Sequence, residues 1–191
     1  MSALRLLAPD TLRTQPWANG AGTTTVIASD PDHADWRWRL SIADIAQDGA
    51  FSAFPATRRQ FVALDAPITL RFSNQRELAL LRLSVTHFDG ADAPYAQLPD
   101  GPTRAFNLML RGDAQGELMA RPLNGSMWLP VREGWLWFVH VLGGRADMQV
   151  GDEHVALEMG ANVWIDAAAG QRTRIEGGGE LILVQLSKNT A

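Results

Sequence analysis

Three arginines occupy positions where their charge would matter chemically. Arg39 lies within an alternating apolar segment, Arg59 precedes the apolar run 60–64, and Arg111 follows Asn107 by four residues. An exposed arginine in such a position is a solvated surface charge. A buried one needs an anionic partner, either a protein carboxylate or a ligand carboxylate held by two parallel N–H groups. The sequence leaves both alternatives open.

The segment 18–23 is rich in glycine and contains an Asn-Gly pair. Asn-Gly is a strong signal for a two-residue hairpin turn, because both residues tolerate positive φ. In the alternative interpretation the backbone N–H groups of Gly20 and Gly22 and the amide of Asn19 face a ligand. Trp17 would then form an apolar wall beside that ligand.

Neutral polar residues complete the candidate ligand-binding set. The hydroxyls of Ser41 and Ser52 would add donors beside the arginines. The full set is Trp17, Asn19, Gly20, Gly22, Arg39, Ser41, Ser52, Arg59, Asn107 and Arg111. Its expected partner is a small-molecule carboxylate. The alternative is an enzyme that uses a carboxylate such as Asp48, Asp89 or Asp100 as a base.

Histidine and cysteine offer no basis for a metal site. The chain has no cysteine, which excludes a thiolate zinc site and a cysteine nucleophile. Its four histidines are His33, His87, His140 and His154, and no two of them are two residues apart. Because divalent metals need three or four convergent ligands, we expect no metal and no cofactor. His140 is expected in the apolar core and His154 in solvent.

Short strands separated by turn residues account for most of the chain. Within 36–43, apolar and polar residues alternate, so Trp38 and Leu40 share one face while Arg39 and Ser41 share the other. Further strands are predicted at 23–28, 60–64, 68–72, 78–85, 135–142, 145–150, 154–157, 162–165, 172–176 and 180–186. Glycines at 143–144 and 177–179 are expected to end strands. The segments 103–111 and 115–120 are compatible with either short helices or strands.

Composition narrows the partners. The 191 residues carry a formal net charge of −4, which argues against a general nucleic-acid surface. The most apolar stretch, 135–142, is far shorter than the roughly 20 residues of a spanning helix. No signal-peptide pattern is present near residue 1, so we expect a soluble cytoplasmic protein without a membrane partner. The oligomeric state is not indicated.

The order and spacing of several motifs resemble the HutD/Ves family. These motifs are the segments 17–23, 38–43, 48–55, 88–90, 98–101 and 106–111. The resemblance implies an all-β, cupin-like double β-barrel (a bicupin of the jelly-roll type) with short helices in the connection. It implies an N-terminal barrel at 1–102 and a C-terminal barrel at 103–191, closely packed, with strand exchange between the halves left open.

The chain departs from the family pattern at several positions. Alanine replaces the usual residue at Ala21, Ala50, Ala56 and Ala105, and Thr24-Thr25 stands where relatives have Arg-Glu. Any chemistry that depends on the missing acidic residues is therefore in question here.

Together, the residues and the resemblance predict a metal-free binding protein or sensor for a small carboxylate metabolite. The resemblance alone suggests a histidine-degradation intermediate, such as urocanate or a formylated glutamate. Two alternatives remain: an isomerase or hydrolase acting on a similar acid, and a stress-related protein without a ligand.

Overall fold

The computed structural model describes residues 2–32 and 34–188, which form two compact units. The central unit is Asp10–Ala114, and the terminal unit joins the residues up to Pro9 to the segment that begins at Gln115. The strands of the described residues are, in chain order, β1 (Leu4–Leu6), β2 (Arg13–Pro16), β3 (Gly22–Asp30), β4 (Trp38–Ile45), β5 (Gly49–Ala50), β6 (Thr57–Ala63), β7 (Ile68–Arg71), β8 (Glu77–Leu80), β9 (Val85–Asp89), β10 (Tyr95–Gln97), β11 (Thr103–Arg111), β12 (Gly116–Trp128), β13 (Trp135–Val150), β14 (Glu153–Glu158), β15 (Asn162–Ile165) and β16 (Thr173–Ser187). The all-β prediction is confirmed.

Helical structure in the described residues is limited to two short 3-10 helices. They span Pro9–Thr11 and Gly90–Asp92. At the start of the second, the carboxylate of Asp89 accepts a hydrogen bond from the Ala91 N–H at 2.8 Å. No helix in the described part of the chain is long and apolar enough to cross a membrane.

The central unit consists of a six-stranded and a four-stranded antiparallel sheet. The strand order is β2-β3-β4-β11-β6-β9 in the larger sheet and β5-β10-β7-β8 in the smaller one. The predicted alternation is confirmed within β4, since Arg39 and Ser41 share a face with the core residues Ala43 and Ile45. Aromatic rings of Phe51, Phe61, Phe72 and Phe88 pack in the same core, with neighbouring centroids 5.6 to 6.2 Å apart.

The terminal unit contains one sheet with the order β1-β15-β13-β16-β12, and β14 also pairs with β13. Its two longest strands, β13 and β16, stay paired where Gly143 and Gly144 meet the glycines at 177–179. A Cβ on Gly144 would lie 2.0 Å from the carbonyl oxygen of Gly178, and Gly144 has a φ of +76°. Only glycine permits this close approach.

These glycines bend strands and do not end them, so the predicted strand breaks at 143–144 and 177–179 were wrong. The register shifts by one residue between Val141 and Gly143, an irregularity of the kind that bends a strand, and the pairing then continues with Gly144 opposite Gly179. The segments left undecided at 103–111 and 115–120 are both strands, within β11 and β12.

The compact units differ from the predicted ranges 1–102 and 103–191. Strand β11 lies between β4 and β6 in the central unit, and β1 pairs with β15 in the terminal unit. The difference arises because each strand joins the sheet that satisfies its backbone hydrogen bonds, whatever its place in the chain.

Candidate functional site

The central unit contains a cavity of about 330 Å³. Its floor comes from β4, β6 and β11, and its walls come from residues 15–18 and 51–54. The lining residues are Gln15, Pro16, Trp17, Ala18, Thr24, Arg39, Ser41, Ala43, Phe51, Ser52, Phe54, Arg59, Phe61, Asn107 and Met109. The structure thus brings together six of the ten predicted ligand-binding residues.

The register of the floor strands brings two arginines to opposite sides of one methionine. Met109 on β11 pairs with Arg39 on β4 and with Arg59 on β6. Because adjacent strands are about 4.8 Å apart, the Cα atoms of the two arginines are separated by roughly 9–10 Å. Both side chains reach into the cavity between them.

Arg59 is a buried cation, with 5% of its surface exposed. Its Nη2 donates a hydrogen bond to Oδ1 of Asn107 at 2.6 Å. Its guanidinium carbon lies 5.0 Å from the ring centroid of Phe88 and 5.3 Å from that of Phe51, which gives cation–π stabilisation. Burial, reinforced by the neighbouring charge of Arg39, lowers the pKa of Arg59 to about 9.

Arg39 is also a cation withdrawn from water, though less completely than Arg59. Burial, followed by repulsion from Arg111, lowers the pKa of Arg39. The Nε atoms of Arg39 and Arg59 are both buried without a hydrogen-bond partner. Among residues 2–32 and 34–188, neither arginine forms an ion pair with a carboxylate. The cavity floor therefore holds two positive charges without a protein counter-charge.

Aromatic side chains wall the cavity beside the arginines. The Trp17 indole packs edge-on against Phe51 at 5.8 Å, and its Nε1 donates to Oγ1 of Thr24 at 2.7 Å. Ser41 is 1% exposed, and both Ser41 and Ser52 line the space. The aromatic wall offers an apolar surface to the carbon skeleton of a ligand, next to the charged floor.

Asn19, Gly20 and Gly22 lie outside the cavity lining and form a hairpin turn. Asn19 accepts a hydrogen bond from the Ala21 N–H at 3.1 Å and donates from Nδ2 to the Ala50 carbonyl at 3.0 Å. Gly20 has a φ of +71°, and a Cβ on Gly22 would lie 2.2 Å from the Asp44 carbonyl oxygen. The segment is a turn, but one longer than the predicted two residues, because the Trp17 N–H donates to the Gly22 carbonyl at 2.9 Å and only Gly20 of the Asn-Gly pair has a positive φ.

Arg111 also lies outside the cavity lining. Its guanidinium stacks on the Trp36 ring at 3.7 Å and donates to Oγ1 of Thr57 and to the Ala34 carbonyl, each at 3.2 Å. It contributes to the site through its charge, which acts on Arg39.

Several lining residues were not predicted from the sequence. Gln15, Pro16 and Ala18 come from the strand and turn before β3, and Phe54 comes from the loop before β6. The sequence did contain a signal for Gln15 and Thr24, because a hairpin centred on the Asn-Gly turn pairs these two residues. Phe61 and Met109, which alternation assigns to the core, also form cavity floor.

The three carboxylates considered as catalytic bases lie outside the cavity lining. Asp48 accepts a hydrogen bond from the Leu98 N–H at 2.9 Å, Asp89 caps a 3-10 helix, and Asp100 is exposed in a turn. None of the three lines the cavity. The carboxylates of Asp48 and Asp89 hold loops in place.

The histidines are separate from the cavity. Nδ1 of His140 lies 3.0 Å from Oδ1 of Asn162 in the terminal unit, where His140 is buried. His154 contacts Asp147 at 3.4 Å on the surface, His87 is exposed on β9, and His33 lies outside the described residues. The residues that are described contain no group of three or more histidine, aspartate or glutamate side chains placed to hold a metal.

The core of the terminal unit shows what distinguishes the cavity. Its core-facing positions on β13 and β16 carry Val139, Val141, Leu181 and Leu183, all at most 1% exposed. Apolar side chains fill this interior, whereas the corresponding kind of face in the central unit carries arginine, serine and asparagine.

Comparison with known sequences gives a consistent set of relatives. Residues 9–183 match the family described as HutD. An uncharacterised 21.2 kDa protein of the hutC 3′ region from Pseudomonas putida is 35% identical over 112 residues, which are 57% of this chain and 59% of that protein. Protein Ves from Cronobacter sakazakii is 37% identical over 99 residues, 51% of this chain and 55% of Ves. The chain thus spans little more than half the length of these relatives.

Comparison with solved structures supports the fold. A conserved protein of unknown function from Pseudomonas aeruginosa PAO1 superposes with a TM-score of 0.88 at 25% identity, covering 98% of this chain and all of that one. HutD from Pseudomonas fluorescens SBW25 gives 0.75 at 23% identity with the same coverage. A cupin from Leptotrichia buccalis gives 0.59 at 12% identity, covering 98% of each chain. The fold is cupin-like.

Proposed function

This chain belongs to the HutD family, and we propose that its central unit binds a small carboxylate metabolite between Arg39 and Arg59. The observation that carries the proposal is the pair of guanidinium groups on one cavity floor without a carboxylate partner among the described residues. A buried charge is costly unless it is paired, and a bound carboxylate supplies the missing pair.

The two unpartnered Nε–H groups suit a carboxylate ligand. Each guanidinium presents its donors in a planar fork that matches the two oxygens of a carboxylate. Because Oδ1 of Asn107 accepts from Arg59, the Nδ2 group is the donor end of that amide. Ser41 adds a hydroxyl on the same floor.

The size and walls of the cavity favour a small metabolite. A volume of about 330 Å³ is at the lower end of the range for ligand pockets. Trp17, Phe51 and Phe61 offer apolar surface to the carbon skeleton of the ligand. The name of the Pseudomonas putida relative supports a role near histidine utilisation, so urocanate and N-formylglutamate are the first ligands to test. We propose that the protein acts as a sensor of this ligand.

Isothermal titration calorimetry with urocanate, N-formylglutamate and glutarate tests the proposal. We expect at least one acid to bind, and Arg39→Gln and Arg59→Gln each to weaken that binding about 10- to 100-fold, the equivalent of losing one charge-assisted contact. Arg71→Gln is the matched control, because Arg71 and Glu77 form an exposed ion pair on the smaller sheet. Binding that is absent, or that survives both cavity substitutions, contradicts the proposal.

A further inference from the structure

The cavity lining contains no acidic side chain. Its polar members are two cations and five neutral residues: Arg39, Arg59, Gln15, Thr24, Ser41, Ser52 and Asn107. A third cation, Arg111, lies close enough to lower the pKa of Arg39 by repulsion. The electrostatic field at the floor is therefore positive, and nothing in the lining reverses it.

Two of the neutral oxygen acceptors are already engaged. Oδ1 of Asn107 accepts from Arg59, and Oγ1 of Thr24 accepts from the Trp17 indole. An ammonium group in the cavity would need acceptors to replace the water it loses. The lining supplies mainly donors at the floor, where a ligand carboxylate would sit.

The carboxylates on neighbouring segments do not compensate. Asp44 is exposed and accepts from the Thr23 hydroxyl at 3.4 Å, whereas Asp48 and Asp89 accept backbone N–H groups in loops. None of them belongs to the lining. A positive group on the ligand would thus meet repulsion without a nearby counter-charge.

We infer that the cavity selects organic acids without an ammonium group, so that its ligands are acids whose amino group is absent or acylated. The inference rests on the proposed function, because it assumes that the arginines hold a ligand carboxylate. It goes further by excluding free α-amino acids, whose ammonium group lies two bonds from the carboxylate carbon and would be carried to the cationic floor with it.

Two matched ligand series test this selectivity. The first is glutarate, L-glutamate and N-acetyl-L-glutamate, and the second is succinate, L-aspartate and N-acetyl-L-aspartate, each titrated calorimetrically at about pH 7.5. Within each series the carboxylates are retained while the amine is absent, charged or acylated. We expect the free amino acid to bind at least about tenfold more weakly than the better of its two partners.

The outcomes separate this inference from the proposed function. A free amino acid that binds within about tenfold of the better of its two partners overturns the selectivity and leaves the carboxylate site intact. No binding by any of the six acids at about 10 mM overturns the inference, and it overturns the proposed function as well when urocanate and N-formylglutamate also fail to bind. Binding that Arg39→Gln does not weaken locates the acids elsewhere and also overturns both. Selective binding in wild type that is lost in Arg39→Gln, but kept in Arg71→Gln, supports the inference.

Discussion

Arg59 donates from Nη2 to Oδ1 of Asn107 at 2.6 Å, which gives the buried guanidinium a neutral hydrogen-bond acceptor. A neutral amide oxygen satisfies one N–H group but does not neutralise the charge. The two residues lie on adjacent strands, β6 and β11, offset by two residues in the register, so their side chains share one face of the sheet. Replacing the amide by a carboxylate would therefore supply the missing counter-charge without changing side-chain size.

Asn107→Asp should abolish ligand binding and stabilise the protein without ligand. The new carboxylate forms an ion pair with Arg59 and competes with a ligand carboxylate for the same donors. We expect a melting temperature above that of wild type and no further rise when a ligand of the wild-type protein is added. Differential scanning fluorimetry with and without that ligand measures both effects.

Asn107→Leu is the matched control for size without hydrogen bonding. It leaves the Arg59 donor without its acceptor, so the free energy of unfolding should fall by about 1–3 kcal/mol. If Asn107→Asp is destabilised as much as Asn107→Leu, the electrostatic account of the site is incorrect.

The pKa of Arg59, lowered to about 9 by burial and by Arg39, predicts a pH limit for binding. Above pH 9 the free protein loses the Arg59 proton, so the affinity for a carboxylate should fall roughly tenfold per pH unit. Titrations at about pH 7.5 and about pH 10.5 check this. In Arg59→Met the residual affinity should show no such decline, and an unchanged affinity in wild type would contradict the assignment.

The lowered pKa of Arg59 also makes the free energy of unfolding depend on pH, in the direction opposite to that of ligand affinity. Between pH 9 and the higher, ordinary pKa of an arginine in water, the unfolded chain keeps the proton that the folded chain has lost. The unfolded state then binds more protons, so the Arg59 contribution to the free energy of unfolding rises with pH in that window. Below pH 9 the full penalty of the buried charge is present.

Gly144→Ala should destabilise the terminal unit, because its Cβ would lie 2.0 Å from the Gly178 carbonyl oxygen at a φ of +76°. We expect the free energy of unfolding to fall by at least about 2 kcal/mol, measured by urea denaturation. Gly178→Ala is the matched control on the facing strand, since a Cβ there meets no atom within 4 Å. Its effect should stay below about 1 kcal/mol, and equal effects would contradict the bend assignment.

Local patterns were sufficient to predict an all-β chain and part of the site. The alternation around Arg39 and Ser41 placed both on one face, and the Asn-Gly pair predicted the hairpin that β2 and β3 form. Both features depend on residues a few positions apart, and local backbone geometry determines them. The absence of cysteine excluded a thiolate site from composition alone.

Whether β13 and β16 continue through their glycines depended on residues far apart in the chain. Glycines at 143–144 and 177–179 look like turns in isolation, yet they continue two paired strands because each group lets the backbone of the other strand approach closely. A glycine has the same local preferences in a turn and in a bend. Only the pairing partner, more than thirty residues away, distinguishes them.

Whether each arginine is a surface charge or part of a cavity was decided by tertiary structure alone. Arg39 and Arg59 face one another because β11 inserts between their strands, and Met109 pairs with both. Arg111, on that same strand, stacks on Trp36 outside the cavity lining. Sequence determined which side chains carry charge and which face of a strand they share. The register between distant strands determined which charges meet, because that register is set by burying the whole sheet face.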